Sequence, residues 1–232
     1  AAPKIGCILG SDGKFYNTVA EARTRGDAVA LVACLNGKKR VEAGSDYNGL
    51  AVMLKYKETK PFQTEADLDC GVPYLEALNL LSPVKNGIAQ TIYFKDGCGK
   101  NHDHPAAKAA YFEAIPNNAD FSYAFMASPG QWILAMKGLG MTWNETTGPA
   151  KGEVLNNQLN TVKKYFTDAG ATDFDVTKLS WASAKTASRL ACMFSFKYIT
   201  LTDIQTGAND ANRNLPTLPF IAFKYGGGAT ED

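Results

Sequence analysis

Neither sign of charge is in surplus: Lys and Arg number 24, Asp and Glu 23, leaving a formal +1. Without a basic excess or a long run of like charge, neither a nucleic-acid partner nor a charged tail is expected. The one basic cluster, Lys38-Lys39-Arg40, follows Asn36-Gly37 and reads as a solvated turn. No apolar run approaches the ~20 residues of a membrane-crossing helix, so no membrane span is expected in this chain. Histidine occurs twice, and the 5 cysteines include no Cys-x-x-Cys pair or other metal-ligand spacing. There is no Gly-x-Ser-x-Gly elbow for a serine hydrolase. Gly10 and Gly13 belong to a turn, because no Gly-Lys-Ser/Thr follows to cradle a phosphate. No cofactor is expected from any of these features.

What is present suits a packed protein. The 232 residues, 45% of them hydrophobic, are enough for one large domain or two intimate lobes. Cys7, Cys34 and Cys192 lie in apolar runs and read as buried thiols that behave as small hydrophobes. Cys70 and Cys98 lie near glycines in loop-like sequence and are candidates for one disulfide. The opening Ala1-Ala2-Pro3 looks like a trimmed or mature start rather than a native initiator.

Hydrophobic period and turn chemistry place the elements. Ile5–Leu9 is strand-like and ends in Gly10-Ser11-Asp12-Gly13. Thr18–Arg25 is helical, with Asn17 as N-cap and Gly26 as stop. Ala28–Leu35 is a buried strand, closed by Asn36-Gly37, and Leu50–Lys55 is another. Tyr74–Leu81 reads as a short helix ended by Ser82-Pro83. Ile92–Phe94 is a short apolar piece, and His104–Ile115 a helix with Pro105 in its first turn. Pro129–Met141 is the clearest helix, with Ser128 as cap. Leu155, Leu159, Val162 and Phe166 form one apolar stripe of a further helix stopped by Gly170. Leu190–Leu201 alternates as a strand. Thr202–Thr217 reads as a long polar loop, and Leu218–Tyr225 as a returning strand that Pro216 and Pro219 confine to an edge or a strand start. Helices and strands do not alternate regularly, so the expected class is α+β with a twisted antiparallel sheet and flanking helices.

Several segments in order resemble a surface-protein domain common in gut Bacteroidetes. Ile5-Gly6-Cys7-Ile8-Leu9-Gly10-Ser11-Asp12-Gly13-Lys14-Phe15-Tyr16 is similar to its "Gly-x-Val-Ile-Gly-x-Asp-Gly-x-Ile-Tyr" start. Ala28–Gly37 and Tyr47–Leu54 resemble the two apolar runs that follow there. Ser128-Pro129-Gly130-Gln131-Trp132 is similar to "Leu-Pro-Ser-x-Gly-Gln-Trp", and Ser180-Trp181-Ala182-Ser183 to a "Tyr-Trp-Ser-Ser" turn in which Ala182 replaces a serine. Leu218–Phe223 stands where the family has "Val-Arg-x-Val-Leu-Ala-Phe", although the family's Arg-x-Arg spacing is not kept at Arg213-Asn214. The resemblance spans roughly residues 4–225. It implies a C-type-lectin-like C-terminal half, of the broad kind that includes lectins, adhesins and the formylglycine-generating enzyme. It further implies export to the cell surface, as a secreted protein or an outer-membrane lipoprotein anchored through an upstream lipid. The domains expected are residues 4–95, a β-rich N-terminal lobe either separate or completing the same sheet, and residues 96–225, the lectin-like lobe.

The chemistry narrows from there. His102-Asp103-His104 offers two imidazoles that an extended backbone would bring together on Zn²⁺ or Ni²⁺, but with no third ligand evident it reads as a solvated loop before a helix, and no metal is expected. Lectin-type calcium binding would use a Glu-Pro-Asn or Gln-Pro-Asp loop, which is absent; Asn144, Glu145, Asn209 and Asp210 are the remaining oxygen donors. A formylglycine-generating oxidase needs two cysteines near the C-terminal core, where Cys192 stands by itself, and nothing suggests an activated Cys34 or Cys98. In the resembled fold the loops near the C-terminus form the binding face. That face is Trp181, Arg189, Gln205, Asn209, Asp210, Asn212, Arg213 and Asn214, able to stack on and fork hydrogen bonds to a ligand. The reading is a non-enzymatic surface protein that binds a glycan or a host or cell-surface protein. The alternative is a structural or adhesive accessory module of pilus-tip or spacer type; an enzyme on the same scaffold ranks third.

Overall fold

The computed structural model describes residues 2–75, 84–115, 118–198 and 208–230. The chain opens with β1 (Ile8–Gly10), β2 (Phe15–Tyr16) and α1 (Val19–Arg23), then β3 (Ala28–Leu35), β4 (Gly49–Met53) and β5 (Lys57–Pro61). A helical middle follows: α2 (Gly87–Lys95), α3 (Pro105–Ala110), α4 (Pro129–Gly138), the short hairpin β6 (Trp143–Asn144) and β7 (Gly148–Pro149), and α5 (Gly152–Asp168). β8 (Ser180–Ala187), β9 (Leu190–Phe194), β10 (Ala208–Asp210), β11 (Asn214–Thr217) and β12 (Phe220–Phe223) close it. The pairings among these strands are antiparallel, so the class is α+β.

The central sheet runs β12-β4-β3-β1-β2. The uninterrupted apolar run Ala28–Leu35 is explained by burial on both faces of this sheet. One face sends Leu31, Ala33, Leu50, Val52, Phe220 and Ala222 into the main core with α4 and α5. The other sends Ala30, Val32, Ala51, Ile221 and Phe223 under Ile115 and Ala124. β12 is an edge strand, with Pro219 standing just before it. The edge is covered by the segment before α4, where Phe125 and Phe220 exchange both backbone N–H···O bonds at 2.9 Å.

The strand pairing crosses the division drawn at residue 95. β12 from the C-terminal part pairs with β4, and β11 pairs with β5. A second, three-stranded sheet, β10-β9-β8, stands between the main core and a smaller one. Cys192 and Phe194 of β9 face the main core, while Ala191 faces Phe62, Phe94, Met126 and Trp181 in the smaller one.

Local sequence explains α4 and α5. The Ser128 hydroxyl accepts from the Gln131 N–H while the Gln131 side chain accepts from the Ser128 N–H, a reciprocal capping box ahead of Pro129. Trp132, one residue on, is buried against Phe194, Phe196 and Phe220. In α5 the stripe residues Leu159, Val162 and Phe166 are buried, and Leu155 is packed at the margin of the same core.

Several expectations are corrected, among them the polar loop expected over Thr202–Thr217, whose described part holds β10 and β11. Thr18, not Asn17, caps α1, its hydroxyl accepting from the Glu21 N–H at 3.2 Å. Ile92–Phe94 lies inside α2. The helix after His104 stops at Ala110, because Tyr111 turns extended and Phe112 bridges to Ala124. Ser180–Ser183 is the first half of β8, not a turn. The strand from Leu190 ends at Phe194, where the Ser195 hydroxyl accepts from the Tyr198 N–H at 3.0 Å and turns the chain. Tyr74 and Leu75 are not helical; the rest of the helix expected over Tyr74–Leu81, and residues 199–207, lie outside the described residues.

α4 approaches β3 closely at Gly138. A Cβ there would stand 2.8 Å from the Ala33 carbonyl carbon and closer still to its oxygen. In an exposed helix Gly→Ala stabilises by about 1 kcal/mol. Here the backbone contact reverses the sign: Gly138→Ala should destabilise by about 2–3 kcal/mol, measured by urea unfolding. A neutral or stabilising result would show that α4 can shift away from β3.

Candidate functional site: a surface strip and a buried cysteine–histidine centre

The residues expected to form a binding face separate into two groups. Arg189 sits exposed in the tight turn between β8 and β9, its guanidinium 3.5 Å from the Asp67 carboxylate. Its carbonyl accepts from the Ala211 N–H at 2.8 Å, which draws in the segment after β10. There the Arg213 N–H donates to the Asp210 carbonyl at 2.9 Å, and Asn214 enters β11 opposite Pro61. Asp210, Asn212, Arg213 and Asn214 are all exposed. Asn209 pairs with Ala191 through the backbone, and Gln205 lies outside the described residues. The fold therefore brings Arg189, Asp210 and residues 212–214 into one polar strip. Asp67 joins it, a residue sequence reading passed over because a lone aspartate in a loop carries no pattern.

Trp181 is not part of that strip. It is fully buried, its indole N–H donates to the Lys60 carbonyl at 2.9 Å, and its ring meets Phe62 edge-on at 5.8 Å. No ligand can stack on it. The expected aromatic anchor is thus a core residue, held by β5 and the chain that follows it. Asn144 is likewise engaged, its side-chain oxygen accepting from the Thr146 and Thr147 N–H groups at 2.8 and 3.0 Å in the β6–β7 turn.

The histidine pair also divides. His102 turns to the Glu65 carboxylate at 3.0 Å. His104 points into the smaller core, where its Nε2 lies 3.5 Å from the Cys70 sulfur and 3.8 Å from that of Cys98. Cys70 and Cys98 form a disulfide across 28 residues. Phe94, 5.0 Å away between ring centres, and Phe62, at 6.0 Å, wall the imidazole in. Burial draws the imidazole down to about 4, so it is neutral at physiological pH. The sequence signal was weak but present: His104 immediately precedes Pro105-Ala106-Ala107, a small-residue helix that can only be packed against something.

Two of the free thiols are unreactive. Burial pushes Cys34 and Cys192 each up to about 12, so neither supplies a thiolate near neutral pH.

Lys185 holds the segment that carries Cys70. It is fully buried in β8, and its ammonium donates to the Leu68 carbonyl and, at 3.1 Å, to that of Ser188. Burial draws it down to about 8, against the pull of Asp69 and Asp67. The unfolded chain keeps that proton until about pH 10.4. Between the two values the unfolded state binds more protons, so raising the pH favours the fold. Relative to Lys185→Met, the wild-type unfolding free energy should rise by up to about 1.4 kcal/mol per pH unit above pH 8 and be level below it. Urea titrations of both proteins from pH 7 to 10 test this; parallel curves would mean that Lys185 is solvated.

No protein-family model matches the sequence, and no curated protein matches it. Among solved structures, the chain is similar to a fimbrial protein from Bacteroides ovatus ATCC 8483, with a TM-score of 0.56 over 95% of this chain at 11% identity. The match covers 49% of that protein, so this chain spans about half of its length. At this identity the likeness is one of fold.

Proposed function

We propose that this chain is a surface-exposed structural or adhesive module of the fimbrial type, acting through protein contacts rather than catalysis. The observation that carries the reading is the fold likeness to a fimbrial protein along 95% of the chain. The outer face supports it. Arg189, Asp67, Asp210, Asn212, Arg213 and Asn214 offer forked hydrogen bonds and both signs of charge, which suits a protein partner. No helix among the described residues is long and apolar enough to cross a membrane. Export, with or without a lipid anchor upstream, accords with the Bacteroidetes surface-domain resemblance and with the Cys70–Cys98 disulfide.

Glycan binding at the same strip is the second reading, with the lectin-like description of the C-terminal half resting on sequence resemblance alone. It has lost its stacking residue, since Trp181 is in the core, and the strip residues include no aromatic to replace it. A host or cell-surface protein is the favoured partner.

Antibody labelling of intact producer cells tests the first reading. The chain should be digested by added protease without lysis and recovered in the sheared surface fraction; recovery only after lysis overturns it. A glycan array separates the second. Little or no signal is expected, whereas binding that falls at least tenfold in Arg189→Ala/Arg213→Ala would restore the strip as a sugar site.

A further inference from the structure

We propose that, once its disulfide is reduced, the Cys70–Cys98–His104 centre binds one monovalent copper ion through two thiolates and the His104 Nε2. The inference stands on side-chain geometry and is independent of the fimbrial reading.

The three donor atoms lie within 4.8 Å of one another, and all three residues are buried. A first-row ion in a plane with metal–sulfur bonds of about 2.3 Å and a metal–nitrogen bond of about 2.0 Å sets each sulfur about 3.7 Å from the nitrogen. The observed separations are 3.5 and 3.8 Å. The imidazole thus already stands where such an ion needs it. Only the sulfurs must part, to about 4.0 Å for the same bond lengths. The Cα atoms, 5.6 Å apart, leave room for that by side-chain rotation.

The frame does not depend on the sulfur–sulfur bond alone. The Tyr93 hydroxyl lies 2.8 Å from the Cys70 carbonyl and 3.4 Å from that of Cys98, so one side chain ties both backbones. The Cys98 N–H donates to the Tyr93 carbonyl at 3.0 Å. Cys98 itself is held at φ 55°, between Gly97 and Gly99 at 83° and 73°. A left-handed cysteine persists only where its surroundings enforce it. On the other side, Lys185 pins the Leu68 carbonyl, two residues before Cys70.

The donor set selects the ion. The two thiolates are soft donors and the imidazole a borderline one, a set that favours Cu⁺ or Zn²⁺ over hard cations. Structural zinc takes four ligands. Among the described residues the cluster supplies three, with no carboxylate among them. Cu⁺, satisfied by three, fits. The Lys185 ammonium, whose field reaches His104, offsets the negative charge left over.

The chemistry balances with a thiol reductant. A dithiol gives two electrons and two protons to the Cys70–Cys98 bond, leaving two thiols here and a disulfide on the reductant. Cu⁺ then displaces both thiol protons to solvent as two copper–sulfur bonds and one copper–nitrogen bond form.

The test is anaerobic competition with the coloured Cu⁺–bicinchoninate complex, after reduction of the chain by a phosphine. The reduced wild type should withdraw one equivalent of copper and the oxidised chain none. Cys70→Ala/Cys98→Ala should withdraw none, although it keeps Cys7, Cys34 and Cys192. His104→Gln, which leaves the disulfide intact, should bind at least tenfold more weakly than wild type after reduction. Four results would overturn the proposal: no withdrawal by the reduced chain, equal withdrawal by the double variant or by His104→Gln, unfolding on reduction as seen by circular dichroism, or a preference for Zn²⁺ over Cu⁺.

Discussion

A buried amide and a buried carboxylate, Gln131 and Glu42, set the position of much else. The Glu42 carboxylate accepts from the first free N–H groups of α2, Ile88 at 2.9 Å and Ala89 at 3.2 Å, and from the Gln131 side chain at 2.8 Å. The same Gln131 nitrogen donates to the Val41 carbonyl, while its oxygen accepts from Ser128. One pair of side chains thereby fastens the β3–β4 connection to the starts of two helices. Burial pushes the Glu42 carboxyl up, and these hydrogen bonds, with the positive end of α2, work against it. The fit is close: a Cβ at Gly87 would stand 2.9 Å from both the Met126 carbonyl oxygen and the Ser128 nitrogen. Because α2 is fixed at its start, its far end delivers the glycine-rich turn that places Cys98 beside Cys70.

Long-range strand pairing does the rest. β5 reaches β11, and β8 turns through Arg189 into β9, which holds β10. The inward residues of this arrangement, Trp181 and Lys185, close the smaller core over the cysteine–histidine centre. Its outward residues, Arg189 and those after β10, make the polar strip. The two candidate sites are thus opposite sides of one set of strands, and the strip is anchored to the core through β8.

Elements with a complete local signal were legible in the sequence. Ser128 with Gln131 spells out a capping box, the α5 stripe repeats at helical spacing, and the apolar run Ala28–Leu35 admits one reading once turns bound it. Cys70 and Cys98 were legible as candidates for a disulfide, by their glycine flanks, while the bond itself is a finding of the structure. What failed locally was decided at a distance. Trp181 in Ser-Trp-Ala-Ser suits a turn or a strand equally, and its place was settled by Lys60 and Phe62. Ile92–Phe94 looked too short for a helix because the clamp that starts α2 is a glutamate far back in the chain. His104 looked like a loop residue beside His102 because its partners, Cys70 and Phe62, come from elsewhere.

The disulfide and the polar contacts around it are not equivalent supports. Closing a loop across 28 residues restricts the unfolded chain, by about 3–4 kcal/mol on a chain-entropy argument. That is a large part of the 5–15 kcal/mol typical of a domain, on the order of which this fold must survive. The bond from the Tyr93 hydroxyl acts on the folded state and contributes about 1 kcal/mol. On the copper proposal, the fold outlives reduction, weaker by the loop restraint, and presents two thiols to a neutral imidazole in an apolar core. An ion bridging the three would re-close the same loop, restoring the restraint on the unfolded chain that the sulfur–sulfur bond supplied. The geometry that makes this position a structural cross-link is thus the geometry that makes it a ligand set.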